Sequence, residues 1–313
     1  MNTSISKNKR KASILDRIRD AKFMYLMVLP AIVFYIVFNY APMYGIKIAF
    51  QDFYPRLGVK NSPNVGFANF KIVFTEPLFW RALRNTLVIS FSKIICGFVF
   101  AVANAVIINE LRMRRFGKFA QIVITFPHFL SWVSIAGFVN NLFMDSGAVN
   151  ALITVLGGEK IDFLSNKPFF FVLLVLTEIW KEAGWGSIVY LAAMAGVDAQ
   201  LYEAAELDGA SRMRMIRSIT LPSIKSTMVL MLILSVGNVM DGGFDQIFNL
   251  YNPLVYDISD TIDTYIYRIT FGTSSATNPG ISAAIGLFKS VVSCALVLTV
   301  DRIAKLVGER GIL

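Results

Sequence analysis

The segment EAAELDGASRMRMIRSITLP, residues 203–222, is short and charged, and it lies between two long apolar runs. Asp208 and Gly209 form a dipeptide that is typical of turns. Asp198 is placed to cap a helix before that turn, and Ser211 is placed to cap a second helix after it. The segment therefore predicts two short helices joined by a turn, set between stretches of very different character.

The stretches on either side belong to a set of apolar runs that dominates the chain. Of 313 residues, 55% are hydrophobic and 16% are charged, whereas a soluble domain has about 25% charged residues. A transmembrane helix needs about 20 mainly apolar residues. The candidate runs are 23–49, 86–108, 119–143, 169–197, 227–240 with an extension toward 248, and 281–300. The first is too long for a signal peptide and has no small-x-small cleavage site, so we expect it to be retained. The expected fold class is an all-α integral membrane protein with six transmembrane helices.

The basic residues indicate the orientation of these helices. Cytoplasmic loops carry an excess of Lys and Arg, and 18 of the 30 basic residues lie in four segments that alternate along the predicted spans. They are Lys7, Lys9, Arg10, Lys11, Arg17, Arg19 and Lys22; Arg112, Arg114, Arg115 and Lys118; Arg212, Arg214, Arg217 and Lys225; and Arg302, Lys305 and Arg310. We therefore expect both termini in the cytoplasm. Because the basic residues flank apolar runs, the net charge of +9 indicates a lipid bilayer and no nucleic acid as partner.

The order of residues within 203–222 resembles a known signature. Glu203-Ala204-Ala205, Asp208-Gly209-Ala210 and Leu221-Pro222 resemble the EAA loop in the permease subunits of binding-protein-dependent ABC importers. The block GFANFKIVFTEPLFWRALRNTL (66–87) is similar to the segment before the second span of MalF-like sugar permeases. The blocks IWKEAGWGSIVYLAAMAGVDAQLYEAAELDGAS (179–211) and NVMDGGFDQIFNLYNP (238–253) resemble the LplB-type subgroup of oligo- and polysaccharide permeases.

This resemblance implies the transmembrane fold of type I ABC importers in a bacterial cell membrane. The implied segments are a basic cytoplasmic tail (1–22), a first transmembrane helix (23–50), an extracellular segment (51–83), a transmembrane core (84–304) with a coupling loop (198–222), and a cytoplasmic C-terminal tail (305–313). In that family the loop carries a coupling helix seated in a cleft of a separate ATPase. The coupling residues implied here are Glu203, Ala204, Ala205, Asp208, Gly209, Ala210, Leu221 and Pro222. Small alanines suit close approach in a groove, and the Glu203 carboxylate suits an arginine of the partner.

The resemblance also implies partners: a second homologous permease, two cytoplasmic ATPase subunits, an extracellular solute-binding protein and an oligosaccharide substrate. A nucleotide-binding P-loop needs G-x-x-x-x-G-K-[ST]. The one Gly-Lys pair of this chain, Gly117-Lys118, does not fit this motif, because it is followed by Phe119 and lacks the upstream glycine. ATP and Mg are therefore expected on the ATPase. One histidine and two cysteines predict neither a metal site nor a catalytic set. We expect a transport subunit without a cofactor, and we interpret His128 as a hydrogen-bonded interior residue at a proline kink.

Polar residues inside the apolar runs are candidates for a substrate path, because charges at membrane depth are costly unless they face a cavity or a partner. Aromatic side chains nearby offer flat faces on which sugars stack, and hydrogen-bond donors. The candidates are Glu178, Trp180, Lys181, Glu182, Trp185 and Tyr190 in the fourth run, Asn238, Asp241 and Asp245 at the end of the fifth, and Lys289 in the sixth. The i, i+4 spacing of the two aspartates would place both carboxylates on one face of a helix.

Each candidate also has a structural alternative. An ion pair of Glu178 or Glu182 with Lys181 or Lys289 would hold helices together. The tryptophans would be interface anchors, and the two aspartates would belong to an ordinary solvated external turn.

Other functions stay open at this point. A permease for another solute would keep the EAA loop but not the saccharide-type blocks. An ion-coupled secondary transporter usually has more spans and inverted repeats. A membrane-embedded enzyme would need a nucleophile, an acid–base pair or a metal cluster, and the sequence offers no clear set.

Overall fold

The computed structural model of the chain describes residues 21–111, 113–272, 278–306 and 308. The predicted basic tail up to residue 20, Arg112, and the end of the C-terminal tail with Arg310 lie outside these residues. In the described ranges the regular elements are helices, with an isolated antiparallel bridge between Gln51 and Asn64. The all-helical fold expected from the sequence is confirmed.

The helices of the first half lead to a long central helix. They are α1 (Lys22–Tyr35), α2 (Gly58–Asn61), α3 (Ala68–Thr75), α4 (Pro77–Asn109), α5 (Arg114–Thr125), α6 (Trp132–Phe143) and α7 (Ala148–Val155). A π-helical turn, Ile36–Tyr40, and a 3₁₀ segment, Ala41–Phe50, continue α1, and a 3₁₀ turn, Phe126–Phe129, follows α5.

The second half contains another long helix and several short ones. They are α8 (Lys167–Ala195), α9 (Ala199–Leu207), α10 (Arg212–Met215), α11 (Leu221–Ser223), α12 (Lys225–Gly237), α13 (Phe244–Leu250), α14 (Tyr256–Ser259), α15 (Ile262–Phe271) and α16 (Pro279–Leu306). A π-helical turn, Ile216–Thr220, lies between α10 and α11, and 3₁₀ turns, Val239–Asp241 and Pro253–Val255, flank α13.

Length and composition identify three continuous helices that can cross a membrane. They are Lys22–Phe50, Pro77–Asn109 and Pro279–Leu306. The described residues also contain two bent pairs of helices, Arg115–Phe129 with Trp132–Val155 and Arg212–Ser223 with Lys225–Asp241. If each bent pair is one span, the described residues contain as many as five spans. The 29-residue α8 is not among them, because Glu178, Lys181 and Glu182 lie near its centre. The six-span count and the cytoplasmic location of the termini stay predictions.

The run predicted as one span over 119–143 is two segments that meet at 96°. Pro127 lies in the 3₁₀ turn after α5, and Leu130 is extended at φ −78° and ψ 140°. The hydroxyl of Ser131 then accepts a hydrogen bond from the amide of Ser134 at 3.2 Å and caps α6. Because proline has no N–H and clashes with the preceding turn, it interrupts a helix. The third run is therefore bent at the proline, where a kink was expected, and it counts as one span only as a bent pair.

The fifth run is also interrupted, after α12. Gly242 and Gly243 have φ values of 60° and 78°, in the left-handed region that residues with a Cβ rarely adopt. Asp241 closes the 3₁₀ turn before this break, and Asp245 lies in α13 after it. The two aspartates are therefore not at i, i+4 on one helix, and the prediction that they share a helical face was wrong.

The core is organised around α4 and α8, which pack against each other more extensively than any other described pair of helices. Ala101 and Ala105 of α4 form a hydrophobic cluster with Tyr190 and Met194 of α8 and with Ile224, which lies just before α12. Small side chains allow helices to approach closely in a membrane protein. The pair provides a rigid wall next to the polar residues described below.

Candidate functional site

The loop 198–222 folds as a helix, a turn and a second helix. The carboxylate of Asp198 accepts a hydrogen bond from the amide of Gln200 at 3.0 Å, so the predicted cap of α9 is confirmed. Gly209 has a φ of 72°, and its amide donates to the carbonyl of Glu206 at 3.0 Å. Ser211 occupies the cap position before α10, but its side chain makes no capping hydrogen bond.

The two ends of this loop differ in exposure. Glu203, Ala204, Asp208 and Gly209 are exposed, and Leu207 at the end of α9 is 90% exposed. A shallow cleft beside them is lined by Ala205, Asp208, Ala210, Arg214, Met215, Ser218 and Ile219. An exposed helix with small residues and a cleft beside it is a surface suited to a partner protein.

The other end of the loop is anchored in the core. The hydroxyl groups of Tyr202 and Thr220 lie 2.9 Å apart, and Thr220 is fully buried. Leu221 packs against the cluster that contains Tyr190 and Ile224, while Pro222 is exposed. The loop is therefore fixed to α8 at one end and free at its turn.

A network of ionisable side chains crosses the apolar interior between α4 and α8. The ammonium group of Lys93 lies 3.6 Å from Oε2 of Glu178, and the Lys93 side chain is 9% exposed. The same ammonium group donates to the carbonyl of Gly242 at 3.3 Å. Lys93 thus joins α4, α8 and the glycine break after α12.

A second part of the network ties α8 to the break between α5 and α6. Nζ of Lys181 lies 3.0 Å from Oε1 of Glu182 and donates to the carbonyl of His128. Nδ1 of His128 lies 2.7 Å from Oε2 of Glu182, and the His128 ring stacks on Trp185 with centroids 4.4 Å apart. His128 is therefore a hydrogen-bonded residue at a proline kink, as interpreted from the sequence. The Lys181–Glu182 pair lies within α8, so it does not itself hold two helices together as the expected ion pair would.

A cavity of about 210 Å³ opens beside this network. Its walls come from α4, α8 and α12, and they include Lys93, Glu178, Glu182, Gly186, Tyr190 and Ser235. Trp180 instead borders two apolar grooves on other sides of α8. Of the six path candidates on α8, the structure therefore brings Glu178, Glu182 and Tyr190 to this cavity.

The remaining candidates lie around the end of the fifth run. Nζ of Lys289 lies 2.8 Å from Oδ1 of Asp241 and 2.8 Å from both carboxylate oxygens of Asp263. Burial raises the pKa of Asp263, while the Lys289 ammonium opposes that rise. Lys289 pairs with these two aspartates rather than with the glutamates of α8. Asn238 caps α12, with its amide donating to the carbonyl of Ser235 at 3.1 Å, and Asp245 is exposed.

Sequence reasoning missed Lys93 and Asp263. Lys93 is the single charged residue in the run 86–108, and a lone charge in a membrane span is itself a signal of function. Asp263 lies outside the apolar runs, so hydropathy gave no reason to select it. Among the described residues, no group of three or more His, Cys, Asp or Glu side chains is arranged to hold a metal ion.

Known proteins resemble this chain over nearly its whole length. The family described as binding-protein-dependent transport system inner membrane component matches residues 93–310. The polygalacturonan/rhamnogalacturonan transport system permease protein YteP of Bacillus subtilis is 42% identical over 309 residues, 98% of this chain and 95% of the relative. Protein LplB of the same organism is 41% identical over 303 residues, 96% of this chain and 94% of the relative.

A solved structure is similar as well. It is the crystal structure of a bacterial alginate ABC transporter in complex with alginate pentasaccharide-bound periplasmic protein. The matching chain has a TM-score of 0.85 and 35% sequence identity, and the match covers 96% of this chain and 99% of that one.

Proposed function

Because the chain belongs to the family of binding-protein-dependent transport system inner membrane components, we propose that it carries oligosaccharides or polysaccharide fragments across a bacterial plasma membrane as the permease subunit of an ATP-driven importer. The family resemblance stated from the EAA loop and the saccharide-type blocks is confirmed. The chain is a multi-pass membrane protein and a transport component rather than an enzyme.

The observation that carries the proposal is the set of charged side chains in the largely apolar wall of the cavity between α4, α8 and α12. Lys93, Glu178 and Glu182 are charged groups inside long apolar helices, and they border a cavity beside Tyr190. Such groups are costly in a bilayer unless they face water or a polar ligand. Carboxylates accept hydrogen bonds from sugar hydroxyls, and ammonium groups donate to them. These residues are the proposed lining of the substrate path in this chain.

The names of the relatives support a saccharide as the substrate. One relative is named for polygalacturonan and rhamnogalacturonan transport, and the solved structure contains alginate pentasaccharide on its periplasmic protein. The proposal for this chain is the shared class, oligosaccharides or polysaccharide fragments.

The loop 198–222 is the proposed coupling element. Its exposed turn would seat in a separate ATPase, and its buried end at Leu221 lies in the same cluster as Tyr190. A movement of the loop would therefore reach the cavity wall through α8, and the path would alternate between two accessible states. Two ATPase subunits with ATP and Mg, a second homologous permease and an extracellular solute-binding protein complete the proposed assembly.

The test is uptake into proteoliposomes that contain this chain with its partner permease, ATPase and binding protein. Labelled oligosaccharides from pectin, alginate and arabinan form the panel. We expect uptake of at least one saccharide that needs both ATP and the binding protein. Uptake driven by an ion gradient without the ATPase would instead establish a secondary transporter. Uptake of an amino acid or anion, and of no saccharide, would establish a permease for another solute.

A further inference from the structure

Aromatic side chains of α13, of the residue that follows it and of α15 form a contiguous set of rings, in which Phe244, Phe248 and Tyr267 all contact one another. We define the aromatic row as Phe244, Phe248, Tyr251, Tyr267 and Phe271. The ring centroids of Phe244 and Phe248 are 5.2 Å apart, those of Phe248 and Tyr267 4.7 Å, and those of Tyr267 and Phe271 5.2 Å. Tyr251 extends the row from Phe248 at 6.2 Å. Each ring therefore has at least one aromatic neighbour within 6.2 Å of its centroid.

Four rings of the aromatic row, Phe244, Phe248, Tyr267 and Phe271, lie outside the hydrophobic core clusters, whereas Tyr251 packs against the cluster that contains Ile247 and Leu250. On α13 the buried residues are Gln246, Ile247 and Leu250, and on α15 they are Ile262, Thr264 and Tyr265. The row occupies other faces of the same helices: Phe248 is 36% exposed, Tyr267 39% and Phe271 72%. Since the core-facing positions are filled by other side chains, the exposed rings are available for a ligand.

The ion-paired side chains around Lys289 lie close in the chain to two of these rings. Asp263 lies one helical turn before Tyr267 on α15, and Asp241 lies just before the glycine break that precedes Phe244. Lys289 bridges the two carboxylates at 2.8 Å, and the Asp241 side chain remains 62% exposed. Asp245 on α13 is exposed as well. Exposed carboxylates on these segments disfavour contact with lipid tails, so this surface faces water or a polar ligand.

Aromatic faces next to carboxylates are chemically suited to sugars. The apolar face of a sugar ring stacks on an aromatic ring, and its hydroxyl groups donate to carboxylate and phenol oxygens. The geometry points to the aromatic row as a binding subsite for an oligosaccharide chain several sugar rings long, which holds the chain next to Asp241, Lys289 and Asp263. This inference rests on the proposed function, and it deepens that function by assigning recognition of chain length to these rings.

The test uses the assembled importer in proteoliposomes and the saccharide that the wild type takes up, prepared as a labelled series from disaccharide to hexasaccharide. The variants Phe248→Ala and Tyr267→Ala each remove one ring, and Phe271→Ala removes the most exposed one. We expect KM for the longest chains to rise by about threefold to tenfold for a lost stacking partner, with disaccharide uptake unchanged. The conservative variant Phe248→Tyr keeps the aromatic face and should behave like the wild type, as should Phe67→Ala, which removes an exposed ring outside the row.

A second readout is independent of transport. In a background where Cys96 and Cys294 are replaced by Ser, Phe271→Cys is labelled with a maleimide, and the hexasaccharide should slow labelling while the disaccharide should not. Equal losses at every chain length, or no loss, together with unprotected labelling, would show that the rings only pack the helices or contact another protein. A wild-type importer that takes up no saccharide would instead overturn the proposed function itself.

Discussion

The ammonium group of Lys93 lies 3.6 Å from Glu178 and donates to the carbonyl of Gly242 at 3.3 Å. One side chain of α4 therefore holds α8 and the glycine break after α12 in a fixed relation. A lone lysine in an apolar helix is costly unless it is paired, and here the pairing partner and the break come from separate parts of the chain. This contact places a charge next to the glycine break at the end of the fifth run.

Removing Lys93 should destabilise the protein by isolating Glu178. For Lys93→Met we expect a loss of about 3 kcal/mol, near the lower end for breaking a buried pair, because Glu178 keeps some exposure. The double variant Lys93→Met with Glu178→Gln should recover most of this loss, since neither charge remains. Thermal unfolding of the purified assembly measures both, and a double variant no more stable than Lys93→Met would contradict the pairing.

Gly209→Pro should uncouple ATP hydrolysis by the ATPase subunits from the uptake of oligosaccharide. Proline cannot adopt the φ of 72° found at Gly209 and removes the amide that bonds to Glu206, so we expect strain of about 3 kcal/mol or more in the turn. Gly209→Asn is the matched control, because asparagine tolerates the left-handed region at about 1–2 kcal/mol. Both ATPase activity and oligosaccharide uptake are measured on assembled complexes. If Gly209→Pro transported as well as Gly209→Asn, the turn would have no coupling role.

Lys289→Met should loosen α15 from α16. The variant loses charged hydrogen bonds to Asp241 and Asp263 and leaves the half-buried Asp263 carboxylate without its cation. Hydrogen bonds to charged groups contribute about 1.5–3 kcal/mol, and we expect a loss in that range in thermal unfolding. Lys289→Arg keeps the charge and should retain more of the stability. Equal stabilities for the two variants would argue against the ion pairs.

The ion pair between Lys167 and Asp257 predicts a small pH effect on stability. The hydrogen bond from Lys167 at 2.7 Å lowers the pKa of Asp257. A lowered carboxyl pKa gives stability that is present above the unfolded value and is lost as the pH falls through the folded value. Because both side chains are largely exposed, we expect about 0–1 kcal/mol. The difference in melting temperature between wild type and Lys167→Ala should vanish in acid, and a difference that grows in acid would contradict this sign.

The long helices were predictable because apolar runs of sufficient length dictate them. The run 86–108 lies within α4, and the run 281–300 lies within α16. The turn at Asp208-Gly209 was predictable from local turn chemistry, which depends on neighbouring residues alone.

The interruptions and the ion pairs were harder to predict. Pro127 and the Gly242-Gly243 pair were visible in the sequence, yet their effect depends on whether packing accommodates a bend. The partners of Lys93 and Lys289 come from helices distant in the chain, and no periodicity within one helix encodes such a contact. The i, i+4 argument for Asp241 and Asp245 does not hold, because Gly242 and Gly243 break the helix between them.

Tyr190 borders the cavity between α4, α8 and α12 and also lies in the cluster that anchors Leu221 and Ile224. Under the proposed function, the lining of the substrate path and the coupling loop therefore meet at the same turn of α8. A substitution at this position that admits a new saccharide would then also alter the coupling to the ATPase. Substitutions meant to change the substrate are better made in the aromatic row of α13 and α15, which lies apart from that turn of α8. The architecture thus leaves one region free to diversify and holds another fixed.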